Sequence, residues 1–281
     1  MYYLLFLITL SCNLFASSYL PLTGIKDAER LTILNEVYNP ATIAFLKEMG
    51  ISPGMHVLDV GSGIGLISAE IAELVGPQGH VTCLDSSDEQ LEIGKLVANA
   101  RGLDNLSFVQ KSAFEMQTLE NSFDCIYIRF LLMHVQNPEK ILLNAYNLLK
   151  PSGKVIIEEP TGLDPIMCYP MTQSFQDYLT IGRAQFKLYN TDCAIGSRLP
   201  QLLSQLNFKN FSTKLFHPIL QTAREKKLIR FAVNTLTPAM VKSGLYSEEA
   251  MKQMSENLRE IEEHPFYFVT YFELAQVCAE R

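Results

Sequence analysis

The chain has 281 residues, 48% hydrophobic and 19% charged, which is too apolar for a disordered protein and long enough to bury a large core. Lys and Arg total 23 against 30 Asp and Glu, a net charge of −7, so nucleic acid is not an expected partner. The length fits one α/β unit with an appendage.

No charged side chain precedes Lys26, and residues 2–16 read YYLLFLITLSCNLFA. An apolar run of about nine residues falls short of the ~20 that a spanning helix needs. Residues 1–18 therefore read as a signal-like or anchoring hydrophobic segment, with Ala16, Ser17 and Ser18 as small residues at a cleavage site. The basic residue usual ahead of such a run is missing, which keeps three other readings open: an uncleaved anchor, an element packed on the domain, and a misassigned start codon. Membrane association or export would go through this segment; the rest reads as cytoplasmic. The six cysteines form no CxxC pair and read as small buried hydrophobes in a reducing compartment. His56, His80, His134, His217 and His264 are scattered, so no metal site is expected.

Residues 19–54 form a helical segment. Residues 27–37 carry apolar side chains at helical spacing, Asn39-Pro40 caps a second helix and Gly50 ends it, so two helices precede the first strand. At residue 55 the pattern switches. MHVLDV is a short apolar strand that stops at Gly61-Ser62-Gly63-Ile64-Gly65, and residues 66–75 resume helical spacing. Residues 80–85 give a second strand, 87–100 a helix, 106–110 a third strand and 123–128 a fourth. Pro138 opens a helix that runs to residue 149, and Pro151-Ser152-Gly153 turns into a fifth strand at 154–158. Strands alternating with helices over residues 55–160 predict a mostly parallel, doubly wound sheet.

After Pro160 the alternation breaks. Residues 161–197 hold one aromatic-rich helix, 171–188, between irregular segments, as an insertion would. A helix (199–206), a strand (209–216), two helices (221–241 and 247–262) and a last strand (266–277) follow. Residues 161–281 are thus expected to supply a substrate lid and complete the sheet. The cluster Arg224, Lys226, Lys227 and Arg230 reads as a solvated face or a binding patch.

The glycine loop carries most of the functional information. A glycine-rich turn from first strand to first helix lets backbone groups approach a polar ligand, with the positive helix end behind them. Leu66 stands where a dinucleotide fingerprint has its third glycine, and no Gly-Lys-Ser/Thr follows, which argues against pyrophosphate and triphosphate sites. Asp85 ends the second strand, where a carboxylate accepts from both ribose hydroxyls. The alternative, that Asp85 only caps the next helix, is weakened by Ser86 and Ser87, which are as well placed for that task.

This acidic GxGxG loop with Asp85 resembles the first motif and ribose acid of class I S-adenosylmethionine-dependent methyltransferases, the small-molecule branch in particular. Phe123-Asp124-Cys125-Ile126-Tyr127, Leu131-Leu132-Met133-His134 and Asn137-Pro138 are similar to that family's fourth strand and following loop. Leu148-Leu149-Lys150-Pro151-Ser152-Gly153-Lys154 resembles its LKPGG turn. The resemblance implies a Rossmann-like seven-stranded sheet with a helical insertion, and S-adenosyl-L-methionine as cofactor. It also implies roles: Gly61, Ser62 and Gly63 around the methionyl part, Asp59 fixing the loop, Asp85 with Ser86 on the ribose, and Tyr19 folded over the cofactor. Arg129 would contact the cofactor's carboxylate or only pair on the surface. Where the family commonly has Gly-Asp-Ala after the third strand, Lys111-Ser112-Ala113 stands, so Ser112 would offer a hydroxyl to the adenine amino group beside Ala113. Ser152 replaces the first glycine of LKPGG as a turn variant.

Methyl transfer needs alignment more than a base, the alignment being worth on the order of 7–11 kcal/mol. Where a proton must leave, His134 after the fourth strand and Glu158 or Glu159 at the end of the fifth are the candidates. Adjacent strand residues face opposite ways, so at most one glutamate looks into the crevice, and Glu159 is the expected one. Met167, Tyr169, Met171, Phe175, Tyr178, Phe186 and Tyr189 of the insertion are core or line an apolar acceptor pocket. A methyltransferase of a small, apolar or aromatic acceptor is the leading reading. A protein or peptide methyltransferase, which would need an open groove, and a non-catalytic binder of the cofactor are the alternatives, with nicotinamide redox chemistry disfavoured by Leu66.

Overall fold

A computed structural model describes residues 25–119 and 122–281; the hydrophobic segment 1–18 and Tyr19 lie outside the described residues. In chain order come α1 (Ile25–Glu48), β1 (His56–Val60), α2 (Leu66–Val75), β2 (His80–Asp85), α3 (Asp88–Ala100) and β3 (Leu106–Gln110). A 3-10 turn (Ala113–Thr118), β4 (Phe123–Arg129), a second 3-10 turn (Leu132–His134), α4 (Pro138–Leu148) and β5 (Leu149–Pro160) follow. The remainder holds β6 (Cys168–Tyr169), α5 (Gln173–Tyr189), α6 (Ile195–Gln205), β7 (Lys209–Phe216), α7 (Ala223–Lys242), α8 (Glu248–Asn257), α9 (Arg259–Glu263), β8 (Phe268–Val269) and β9 (Leu274–Glu280).

The main sheet has seven strands in the order β3-β2-β1-β4-β5-β9-β7, and β6 pairs separately with β8. The first five run parallel, and β9 is antiparallel to both β5 and β7. Both faces of the sheet are covered. In β4, Ile126 and Ile128 join one apolar cluster while Cys125 and Tyr127 join the other, the two-residue alternation of a strand buried on both sides. This is the Rossmann-like doubly wound sheet expected from the sequence. Its order reverses between β1 and β4, so the crevice beyond their carboxyl ends is where a ligand enters such a sheet.

Several boundaries differ from the sequence reading. Residues 25–48 form one helix rather than two, with Pro40 inside it. A proline there removes one helical hydrogen bond, and the neighbouring turns are held by another means. Arg129 at the end of β4 donates to Asn35 Oδ1 (2.8 Å), Asn39 Oδ1 (3.0 Å) and Thr42 Oγ1 (3.0 Å), three side chains that bracket Pro40 along one helix face. The expected last strand divides into β8 and β9, because Thr161 N–H binds Glu273 O (2.9 Å) and Tyr271 N–H binds Pro218 O (3.2 Å) and bend the chain between them. The helix expected over 247–262 breaks at Leu258 into α8 and α9.

β5 begins earlier than expected, because Phe123 pairs with Leu149 and a bulge precedes the pairing of Cys125 with Lys154. Ser152 adopts φ 63° at this turn, the left-handed conformation that the family's glycine supplies. The basic cluster on α7 is consumed by ion pairs: Arg224 with Glu36, Lys227 with Glu29 and Arg230 with Glu262, while buried Lys226 donates to His264 O. Among the described residues no helix is long and apolar enough to cross a membrane.

Candidate active site

The carboxyl end of β1 runs into the glycine loop, which is tied to the neighbouring strand. The N–H groups of Gly61 and Ser62 both donate to Leu84 O (2.8 and 3.1 Å). Gly61 sits at φ 77°, and a Cβ there would lie 3.3 Å from the Leu131 side chain, so the site needs glycine for conformation and space. Asp85 takes the loop's next donor. Its Oδ2 accepts from Gly63 N–H and its Oδ1 from Ser87 N–H, both at 2.9 Å, so the carboxylate bridges the loop and the start of α3. The capping of α3 falls to Ser87, whose hydroxyl accepts from Gln90 N–H (3.3 Å). Burial raises the pKa of Asp85, opposed by the backbone donors of Ser87, Gly63 and Ser86.

Asp59 is buried two positions before Gly61 and accepts from Ser68 Oγ at 2.5 Å. Burial pushes its carboxyl up to about 6, with the Ser68 bond and the charge of Arg129 pulling the other way. Ser62 presents a buried hydroxyl with no hydrogen-bond partner. An orphaned hydroxyl beside a tight loop and a carboxylate makes a site for a polar, hydroxyl-bearing ligand. These residues therefore fit the methionyl and ribose parts of S-adenosylmethionine.

Asp59, Gly61, Ser62, Gly63, Asp85, Ser86, Ser112, Ala113 and Arg129 all line one cavity of about 410 Å³, and His134 joins them. Ser112 caps the first 3-10 turn, its Oγ accepting from Phe114 N–H at 3.3 Å. Arg129 is no surface residue: its guanidinium is sewn to α1 as described above. Burial, helped by the charge of Arg30, lowers the His134 imidazole to about 4, so it is neutral at physiological pH.

The expectation for Glu159 is corrected. Its carboxylate accepts from the backbone N–H groups of Leu131 (2.7 Å), Leu132 (2.7 Å) and Met133 (3.3 Å), and it does not line the cavity. It caps the turn that carries His134, and its carboxyl is pushed up to about 7 by burial against those three donors. Glu158 also stays out of the cavity, accepting from Thr42 Oγ1 (2.8 Å), Gln276 Nε2 (2.6 Å) and the Tyr127 hydroxyl.

The far half of the cavity is built by segments that the glycine loop gives no hint of. From α1 come Leu31, Leu34 and Arg30, the last held by two bonds of 2.6 Å to Asp27. From α7 come Ala232, Thr235 and Leu236, and from the bend before β9 Tyr271 and Phe272. The Tyr38 hydroxyl pins α1 to that bend through Phe272 O (2.7 Å). Of the seven apolar residues singled out in the insertion, Tyr178 and Phe186 line the cavity. Phe175 is fully buried in the core, and Met167, Tyr169 and Met171 are 48%, 76% and 48% exposed on the outside. Gln90, Phe130, Gly182 and Gln185 also line the cavity and were not singled out from the sequence. Among the described residues no group of three or more His, Cys, Asp or Glu is placed to hold a metal ion.

A mostly parallel sheet with this strand order and a polar glycine-loop cavity beyond β1 and β4 defines a methyltransferase domain, and that family's sequence profile matches residues 51–232. The chain belongs to this family, the class I S-adenosylmethionine-dependent methyltransferases. Among relatives, the ubiquinone/menaquinone biosynthesis C-methyltransferase UbiE of Brucella canis is 38% identical over 143 residues, 48% of this chain and 53% of that protein. The chain thus spans about half the length of the relatives it matches. Among solved structures, a methyltransferase of Bacillus halodurans aligns over 85% of this chain and 98% of its own, with 16% identity and TM-score 0.58. Haemonchus contortus phosphoethanolamine N-methyltransferase 2, solved with phosphomonomethylethanolamine and S-adenosylhomocysteine, aligns over 86% of this chain and 52% of its own, with 18% identity and TM-score 0.55. At such identities the structures share the fold.

Proposed function

We propose that this protein transfers the methyl group of S-adenosylmethionine to a small, largely apolar or aromatic acceptor. The observation that carries this reading is the single cavity, which runs from the Asp59, Ser62 and Asp85 end to a wall of Leu34, Phe186, Leu236 and Phe272. Asp85 and Ser86 would hold the ribose, Ser62, Asp59 and the glycine loop the methionyl part, and Ser112, Ala113 and Phe114 the base. When bound, the cofactor supplies an electrophilic methyl on a positively charged sulfur.

The chain's contribution is mainly placement and exclusion of water. Residues on α1, α5 and α7 form the wall facing the glycine loop, so an acceptor among them is held in one orientation and shielded from bulk solvent. This lid, formed in part by residues 161–197, is why a small molecule is preferred here to a peptide, which would need an open groove. His134 is neutral and stands in the wall, so it can accept a hydrogen bond or a proton from an acceptor. The names of the relatives, C-methyltransferases, favour carbon as the methylated atom. We assign the activity to the cytoplasm, where the cofactor is made; sequencing of the mature N-terminus after cell fractionation tests whether residues 1–18 change that.

Calorimetry with S-adenosylhomocysteine, followed by incubation with methyl-labelled cofactor and a panel of phenols, quinones, lipids and peptides, tests the proposal. Label on a phenol or quinone is the expected result. Label on peptides alone, or binding without any transfer, would overturn it.

A further inference from the structure

Ser62 and Gln185 both line the cavity, and each carries a side-chain group buried without a hydrogen-bond partner. The Ser62 hydroxyl is at the glycine loop and answers to the cofactor. The Nε2 of Gln185 belongs to α5, in the segment after the fifth strand. Gln185 is 5% exposed and shares one face of α5 with Tyr178, Gly182 and Phe186, at spacings of four, seven and eight residues from Tyr178. Gly182, one turn before, packs against Leu163, and Phe186 next to Gln185 is apolar.

The guanidinium of Arg30, on α1, is matched within the protein by two bonds to Asp27. A buried amide N–H group with no partner is costly to keep, and an apolar side chain of the same shape would serve the fold better. Its retention has a reason if a ligand completes the bond. Nε2 is a donor, so that ligand must bring an acceptor atom.

We propose that Gln185 is a specificity-determining residue that donates a hydrogen bond to an oxygen of the methyl acceptor, and that the acceptor is an apolar molecule carrying a carbonyl or equivalent hydrogen-bond-accepting oxygen. This rests on the proposed methyltransferase reading and adds to it the polar group by which the acceptor is recognised. A purely hydrocarbon acceptor is disfavoured, because it would leave the amide buried and unpaired in the complex.

The test uses the full chain saturated with S-adenosylhomocysteine and two probes of the same skeleton, 1-tetralone with a carbonyl and tetralin without one. Affinities are read by calorimetry for the wild type and for Gln185→Met, with thermal unfolding of both. The wild type is expected to bind 1-tetralone about tenfold more tightly than tetralin, the worth of one hydrogen bond to a buried amide, and Gln185→Met to lose that preference. The ligand-free variant is expected to melt at or above the wild-type temperature, since the substitution removes an unsatisfied buried group. Equal binding of the two probes to the wild type overturns the proposal, as does a preference that survives in the variant. A lower melting temperature with the preference intact would make Gln185 a structural residue and overturn it too. Failure of the wild type to bind S-adenosylhomocysteine in the same experiment would instead refute the methyltransferase reading on which it rests.

Discussion

Replacing Asp85 by Asn tests the cofactor end of the cavity most directly. The carboxylate bonds Gly63 N–H through one oxygen and Ser87 N–H through the other, each at 2.9 Å. An amide has one accepting oxygen, and its NH2 group would confront the second backbone donor. That donor then loses its acceptor, costing about 1–3 kcal/mol of stability in a largely buried place. Cofactor binding is weakened as well. With the negative charge gone, hydrogen bonds from the ribose hydroxyls weaken by roughly 1.5–3 kcal/mol, about tenfold to a hundredfold in affinity. Calorimetry with S-adenosylhomocysteine reads the second effect and thermal unfolding of the ligand-free protein the first. A variant that still folds and binds within twofold of the wild type would refute the assignment of Asp85 to the ribose, and with it the placing of the cofactor along the β1 and β2 ends.

Gly94 on α3 packs under the glycine loop, where an added Cβ would lie 2.8 Å from Phe108 Cε1. Gly94→Ala should therefore cost about 1–3 kcal/mol of overpacking, more than its gain in helix propensity, and weaken S-adenosylhomocysteine binding; a more stable variant would contradict this. Glu159 has a carboxyl raised from 4.5 to about 7 in the fold, so the native state binds more protons than the unfolded state between those values. Its contribution is present below the unfolded pKa and is lost as pH rises through about 7, so stability should fall by about 2 kcal/mol between roughly pH 5.5 and pH 8 on its account. Urea unfolding of the wild type and Glu159→Gln should show a decline that the variant lacks, and equal slopes would refute it. Because His134 is neutral above about pH 5, its titration should put no limb in the rate profile between about pH 6 and pH 9. A limb near pH 6.5 that disappears in His134→Asn would contradict the burial of that imidazole.

The inner strands of the parallel half of the sheet were legible because they are buried on both faces and read as apolar runs closed by turn residues. β2 lies at the expected bounds for that reason, and the edge strand β3, only partly buried, lies at them as well. So does β7, on the outer edge. The loop was legible too, since Gly61 and Asp85 are consecutive in the logic of one βαβ unit, only 24 positions apart. What escaped depends on partners far away in the chain. Pro40 looked like a helix boundary, and the residue that holds the helix across it, Arg129, lies 87 to 94 positions from the three side chains it bonds. Glu159 looked like a residue at the mouth of a crevice, and the three N–H groups that occupy it come from a turn 26 to 28 positions earlier.

The two halves of the cavity differ in the same way. The cofactor end is made by neighbours in sequence, so local spacing encodes it. The acceptor end is assembled from α1, α5, α7 and the bend before β9, four segments spread over about 240 positions, each contributing a few residues from a face that is otherwise plain core. On such a face a cavity-lining Phe186 and a core Phe175 look alike, because both are apolar at helical spacing. A glutamine among them differs. An amide contributes little to an apolar core, so one that the fold buries without a partner carries information about a ligand that the aromatic residues around it do not. Thus, where apolar patterning is silent about the acceptor, the polar residue with no structural use is the more informative guide to it.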